Sequence, residues 1–309
     1  MRGAQGHHLS VFAALVVVLA ATAAAAGAGL PAVAADEFTE AQRINTLRVL
    51  GALSPAVAEK PVHALNGDFC TWPGVTCHRL RSGGVGAEVT ITQDRFIHLP
   101  VDVQMSEVRI TSLKVRTRAL AEGSALLSNL AKAMPSTTLI TLDFTGANIT
   151  SELPVTWGTF TNLQYLRLAN NHFYGTLPAA WSALTSLTEF QLQGNDVSGT
   201  LPASWSTMKR LHKVELDNNA FTGTLPPSWW CMTSLPMLPI RGDGFCGGVA
   251  APWTALRGLV PTADGAFHEA CGDRNRASSI PAHRRRRRRP QRLLRPPAGQ
   301  PLRGSRLRC

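Results

Sequence analysis

Tyr165, Arg167, Glu189, Gln191, Lys213, Glu215 and Asp217 fall in three phrases of one pattern: LQYLRLANN from residue 163, LTEFQLQGN from 187 and LHKVELDNN from 211. Cations, carboxylates and amides set at a fixed step make a ruled array of charges and hydrogen-bonding groups. Such an array suits recognition of a partner, because it offers many polar contacts and no reactive centre. The rest of the chain supplies no competing chemistry. Its nine His are scattered, and no CxxC or HxxxH spacing marks a metal site. It has no glycine-rich phosphate loop and no nucleophile-turn motif. The expectation is a non-enzymatic protein with no cofactor and no metal.

An array needs a periodic support, and the sequence contains one. Leu153-Pro154, Leu177-Pro178, Leu201-Pro202 and Leu225-Pro226 are 24 residues apart, and Trp157, Trp181, Trp205 and Trp229 keep that step, which Trp253 continues. An earlier copy of the first phrase is LITLDFTGA from 139, and a degraded one is LPMLPIRGD from 235. Joined, the unit reads LxxLxLxxNxFxGTLPxxWxxLxx, a leucine-rich repeat of the longer kind. The fold class that follows is an α/β solenoid with short parallel β-strands on its concave face and disulfide-capped ends. In LxxLxL the second and third Leu share one face of a short strand. Asn171, Asn195 and Asn219 follow where the chain turns inward, and a buried amide there can pair backbone groups that the turn leaves open. Ala147 and Asp243 hold that place in the outer copies, which predicts weaker ends.

The side chains flanking the inward Leu form three columns on the concave face. The first is Thr141, Tyr165, Glu189, Lys213 and Met237; the second Asp143, Arg167, Gln191, Glu215 and Pro239; the third Thr145, Ala169, Gln193, Asp217 and Arg241. They are the candidate contact residues. The plainer alternative is that they only keep the sheet hydrated and paired. Asp143 beside Arg167, and Glu189 beside Lys213, are expected to be cross-strand pairs worth about 0.2–1 kcal/mol each without any ligand.

Around the repeats the chain divides into four parts. Residues 1–34 read as a signal peptide: Arg2, an apolar run from Leu9, and a small-x-small site at Ala32-Val33-Ala34. Residues 35–138 form an N-terminal cap with irregular first repeats. In it, 37–53 is a helix with Ile44, Leu47, Leu50 and Leu53 inward and a Thr39/Gln42 capping box; 88–92 and 107–115 are strands, and 119–134 is a second helix. Residues 139–271 are the repeats with a C-terminal cap. Residues 272–309 are an Arg/Pro-rich tail expected to be disordered. The net charge is +11. Thirteen arginines against one acid give the tail +12 of it, which leaves residues 1–271 at −1. The basic balance therefore describes the tail, and no nucleic-acid partner is expected for the body.

Six Cys fit an oxidising compartment. Cys70 and Cys77 in CTWPGVTC close a short loop over the first strand. Cys246 with Cys271 is the expected C-terminal pair, with Cys231 left as a competitor and Cys309 without an assigned partner. Asn148-Ile149-Thr150 is a glycosylation sequon. Arg241-Gly242-Asp243 spells an integrin tripeptide, but the register assigns Asp243 to the Asn position of the ladder.

The repeat resembles the plant type, and FCTWPGVTC ahead of it is similar to the N-cap of extracellular leucine-rich-repeat proteins. GTLP followed by Trp in LPxxW most resembles the trypanosomatid promastigote surface antigens (the surface antigen 2 family) over about residues 38–271. That resemblance implies a secreted or cell-surface protein that attaches to a protein receptor, a host or vector surface molecule, through its concave face. The tail has no terminal apolar run, so no GPI signal is expected. Two alternatives are an inhibitor-like soluble repeat protein that binds a secreted hydrolase, and a protein that binds anionic, heparin-like glycans through its basic tail.

Overall fold

The computed structural model describes residues 37–53, 69–81, 83–92, 107–116, 127, 130–132, 134, 137–236, 238, 239 and 243–246. The expected signal peptide, the tail, Trp253, Cys271, Cys309, Met237, Arg241, Gly242 and most of the 119–134 helix lie outside them.

The chain opens with α1 (Glu40–Leu53). Its start is the expected capping box: the Thr39 amide donates to Gln42 Oε1 and the Gln42 amide to Thr39 Oγ1, both at 3.2 Å. Leu47, Val49, Leu50 and Leu53 are buried, but Ile44 is 40% exposed. The inward stripe turns instead through Asn45 and Thr46, and Thr46 Oγ1 accepts the Arg109 amide at 3.0 Å. A polar residue thus takes a core position because it stitches the helix to the backbone leading into the sheet.

Seven strands form the main sheet: β1 (Val75–Arg79), β2 (Val85–Ile91), β3 (Ile110–Val115), β4 (Thr141–Asp143), β6 (Tyr165–Arg167), β8 (Glu189–Gln191) and β10 (Lys213–Glu215), in that order. β1 is antiparallel to β2, and every later pairing is parallel. The disulfide from Cys70 to Cys77 ties β1 to the turn before it. The first two parallel strands, β2 and β3, lack the repeat phrase yet stack in the same sheet, so the solenoid begins before residue 139.

Behind each strand the chain turns, runs along a lateral edge, and returns through a 3-10 turn. The edge carries β5 (Thr150–Glu152), β7 (His172–Tyr174), β9 (Ser198–Gly199), β11 (Ala220–Gly223) and β12 (Gly244–Phe245), paired as β5-β7 and β9-β11-β12, all parallel. Gly175, Gly199 and Gly223 end the edge strands at φ 82, 81 and 80°, a region that side chains disfavour. A Cβ on Gly199 would also meet Thr176 Cγ2 at 2.9 Å. This explains the Gly of GTLP. The Pro that follows fixes the extended entry to each 3-10 turn, at φ −67, −68, −68 and −62°.

Two internal ladders hold the coils together. Asn171, Asn195 and Asn219 each accept through Oδ1 from the amide of Ile149, Phe173 or Val197, at 3.0, 3.0 and 3.1 Å. Each donates through Nδ2 to main-chain carbonyls of its own coil and the one before. On the opposite wall Trp157, Trp181, Trp205 and Trp229 stack with ring centroids 6.0, 6.2 and 6.1 Å apart. Trp181, Trp205 and Trp229 donate Nε1–H to the carbonyls of Pro154, Pro178 and Pro202 at 3.0, 3.0 and 2.8 Å. Trp is used here because it fills the coil and also pairs a carbonyl that a Phe would leave open.

Candidate recognition surface

β-strand alternation decides which side chains face out. Leu142, Leu166, Phe190 and Val214 point into the coil and are fully buried. Their neighbours stand on the concave face in strict register: Thr141, Tyr165, Glu189 and Lys213 are aligned, as are Asp143, Arg167, Gln191 and Glu215. The structure therefore brings six of the seven predicted contact residues into two adjacent columns. Asp217 follows in the turn after β10. Ala169, in the third column, is 1% exposed and offers nothing to a partner.

The charged members are bound to one another. Arg167 donates Nη2 and Nε to Glu189 Oε2 and Oε1 at 3.0 and 3.3 Å. Lys213 Nζ lies 3.4 Å from Glu189 and 3.2 Å from Glu215, and Gln193 Nε2 donates to Glu215 Oε2 at 3.0 Å. Arg167 also lies over the Tyr165 ring, 5.3 Å from its centroid. Burial pulls the Glu189 carboxyl up, but the Arg167 bonds and the charges of Arg167 and Lys213 outweigh it and hold it below its ordinary value. The same bonds raise the Arg167 guanidinium, and Glu215 and Glu189 raise the Lys213 ammonium.

The expected Glu189–Lys213 pair is present; the expected Asp143–Arg167 bond is not. Asp143 is 3% exposed and accepts a two-pronged bond from Arg116, at 3.1 and 2.7 Å. Burial raises its carboxyl, and Arg116 together with the Thr145 amide reverses the shift and lowers it. Arg167 is flanked by Asp143 on one side and Glu189 on the other, and Arg116 has already filled the first. Sequence reading missed Arg116, Lys114 and Glu88, which extend the array on the N-terminal side; Lys114 meets Glu88 at 3.0 Å. The signal was there in the alternating EVTIT and EVRITSLKV strands, but these lack the phrase that set the register. Gln191 makes no side-chain hydrogen bond among the described residues, and with Tyr165 it is the part of the array not spent on internal pairing.

The other predicted sites divide. Cys70–Cys77 forms as expected. Cys231 and Cys246 are both disulfide-bonded, whereas Cys271 lies outside the described residues. Asn148 and Thr150 of the sequon are both exposed on the lateral edge, with Asn148 at φ 55°. Asp243 of the RGD tripeptide turns inward: its Oδ1 accepts the Phe221 amide at 3.1 Å, the same bond the ladder Asn residues make. Among the described residues no group of three or more His, Cys, Asp or Glu is placed to hold a metal, and no helix is long and apolar enough to cross a membrane.

The family model described as Leucine Rich Repeat matches residues 162–184. No curated protein sequence matches the chain. Among solved structures, it is similar to the ectodomain of the Arabidopsis receptor kinase HAESA bound to a peptide hormone, at 21% identity and TM-score 0.48 over 72% of this chain and 40% of that one. The ectodomain of GASSHO1/SCHENGEN3 from Arabidopsis thaliana shares 18% identity at TM-score 0.47, over 72% of this chain and 29% of that one. For SOBIR1 from Arabidopsis thaliana the values are 18% and 0.39, over 70% and 92%. The chain spans only 24% and 25% of two further plant receptors, RGFR1 and TDR. These likenesses concern the fold alone. With the parallel sheet, the Asn ladder and the Trp stack, they make this chain a leucine-rich-repeat solenoid.

Proposed function

We propose that the protein is a non-enzymatic recognition module, secreted or displayed at a cell surface, whose concave sheet binds a polypeptide partner. The observation that carries this reading is the charge array. From Glu88 to Asp217 it holds four cations (Lys114, Arg116, Arg167, Lys213) and five carboxylates (Glu88, Asp143, Glu189, Glu215, Asp217), interleaved strand by strand. A mixed array gives no purchase to a polyanion such as heparin. It suits a peptide with both signs and with groups that reach Tyr165 and Gln191. Internal pairing also fixes the side chains before binding, which lowers the ordering cost of association. The disulfide at Cys70–Cys77 supports an oxidising, extracellular setting. The trypanosomatid resemblance supports a host or vector molecule as partner, and a glycan on Asn148 would leave the concave face clear.

The test is selection of peptide binders from a random display library on the native full chain, followed by binding to the Tyr165→Ala/Gln191→Ala variant. Selected peptides are expected to lose at least tenfold in affinity while Tm stays within a degree. Undiminished binding would move recognition off the concave face.

A further inference from the structure

The last rung of the Asn ladder is an acid. Asp243 occupies the place that Asn171, Asn195 and Asn219 occupy in the coils before it, and its Oδ1 makes their bond to the amide 22 residues upstream. The same step puts its Oδ2 where each Asn has Nδ2. In the Asn rungs that nitrogen donates to main-chain carbonyls; for Asn219 these are Leu192, Leu216 and Asp217. An ionised Oδ2 has nothing to donate. It is buried and has no hydrogen-bond partner, a costly state for a carboxylate oxygen.

We propose that Asp243 is a proton-operated rung: protonated on Oδ2 it closes its coil as the Asn residues close theirs, and ionised it loosens the junction of β11 and β12. What it holds is local: the Thr222–Gly244 and Gly223–Phe245 pairing, the Cys246 amide bond to Gly223 at 2.9 Å, and Phe245 stacked on Phe221 at 6.1 Å. Because Cys246 is disulfide-bonded, ionisation opens this junction without freeing the chain end.

The titration supports the geometry. Burial is the largest influence on the Asp243 carboxyl; the Phe221 and Asn219 amides oppose it, nearby Asp217 adds to it, and the result is a rise from 3.8 to about 7. Asp217, in the turn after β10, is the charged group that faces it among the described residues; Arg241, two residues away, lies outside them. Between pH 3.8 and about 7 the folded chain keeps a proton that the unfolded chain has lost. Stability therefore falls as pH rises across that window and levels off above it. The device tightens the C-terminal end in acidic surroundings and relaxes it at neutral pH.

Amide hydrogen exchange on the full chain at pH 5.5 and 8, corrected for intrinsic rates, tests this. In the wild type, protection of the 220–223 segment is expected to fall more than tenfold at the higher pH. Asp243→Asn should abolish the difference, and Asn219→Asp should create one at Val197, one coil earlier. Equal protection at both pH values in the wild type, or an unchanged fall in Asp243→Asn, overturns the proposal. Should Asp243→Asn fold poorly, the pH response of Asn219→Asp at Val197 decides the matter.

Discussion

The inside of each coil and its concave face are both ladders, but they are satisfied differently. Inside, Asn171, Asn195, Asn219 and the Trp rings bond to main-chain atoms of the neighbouring coil. Backbone atoms are the same in every coil, so the same residue must recur. On the concave face, Arg167, Glu189, Lys213 and Glu215 bond to other side chains. Those partners change together from coil to coil, so the pairing holds while the chemistry varies. The interior therefore fixes the fold, and the front is the wall free to acquire specificity.

Removing a Trp from the stack is the strongest test of that contrast. Trp181 contacts Trp157 and Trp205 and pairs the Pro154 carbonyl. Trp181→Ala is expected to cost about 3–5 kcal/mol by opening a cavity in a packed wall, read as a lower denaturant midpoint. A loss under about 1 kcal/mol would mean the stack is filler. Next comes the Asn ladder. Asn195→Ala strips the Phe173 amide of its acceptor and leaves the Leu168 and Leu192 carbonyls without their donor. It should cost about 1–3 kcal/mol. Asn195→Asp at pH 8 should cost a similar amount and recover at pH 5, as the interior carbonyls demand a donor.

How much was legible in the sequence follows the same division. The interior was read nearly whole, because one backbone geometry repeated selects one residue at one step: the Asn rungs, the Gly-Thr-Leu-Pro turn, the Trp between coils and Asp243 as a rung all stand where the period put them. The Trp bond to the Pro carbonyl and the lateral strands β5, β7, β9, β11 and β12 were not foreseen, since they depend on how coils overlap. The concave columns were predicted as positions but not as partners. Periodicity places Arg167 between two carboxylates without saying which it takes; that depends on Arg116, in a strand with no repeat phrase. Ile44 failed for a related reason. Helical spacing sees apolar residues, while the inward stripe of α1 includes Thr46 for its bond to Arg109.

The smallest expected effect lies on the front and concerns Glu189. Its side chain is 12% exposed and is held by Arg167 and Lys213. Its carboxyl is lowered in the folded chain from the ordinary 4.5. A carboxyl lowered by folding contributes stability that is complete above 4.5 and disappears as pH falls through the folded value. Glu189→Gln keeps the shape and removes the charge, so it should lower Tm by a few degrees at pH 7 and progressively less below pH 4.5. The ladder is partly screened by solvent, which keeps the loss to about 1 kcal/mol or less. Arg167→Glu must cost more than Glu189→Gln, because it sets a second carboxylate against a nearly buried one. This makes charge reversal a poor probe of binding here: a weaker complex would report a disturbed sheet as readily as a lost contact. If Glu189→Gln is neutral at pH 7 and Arg167→Glu is tolerated, the front ladder is not a structural element, and its residues are all free to meet a partner.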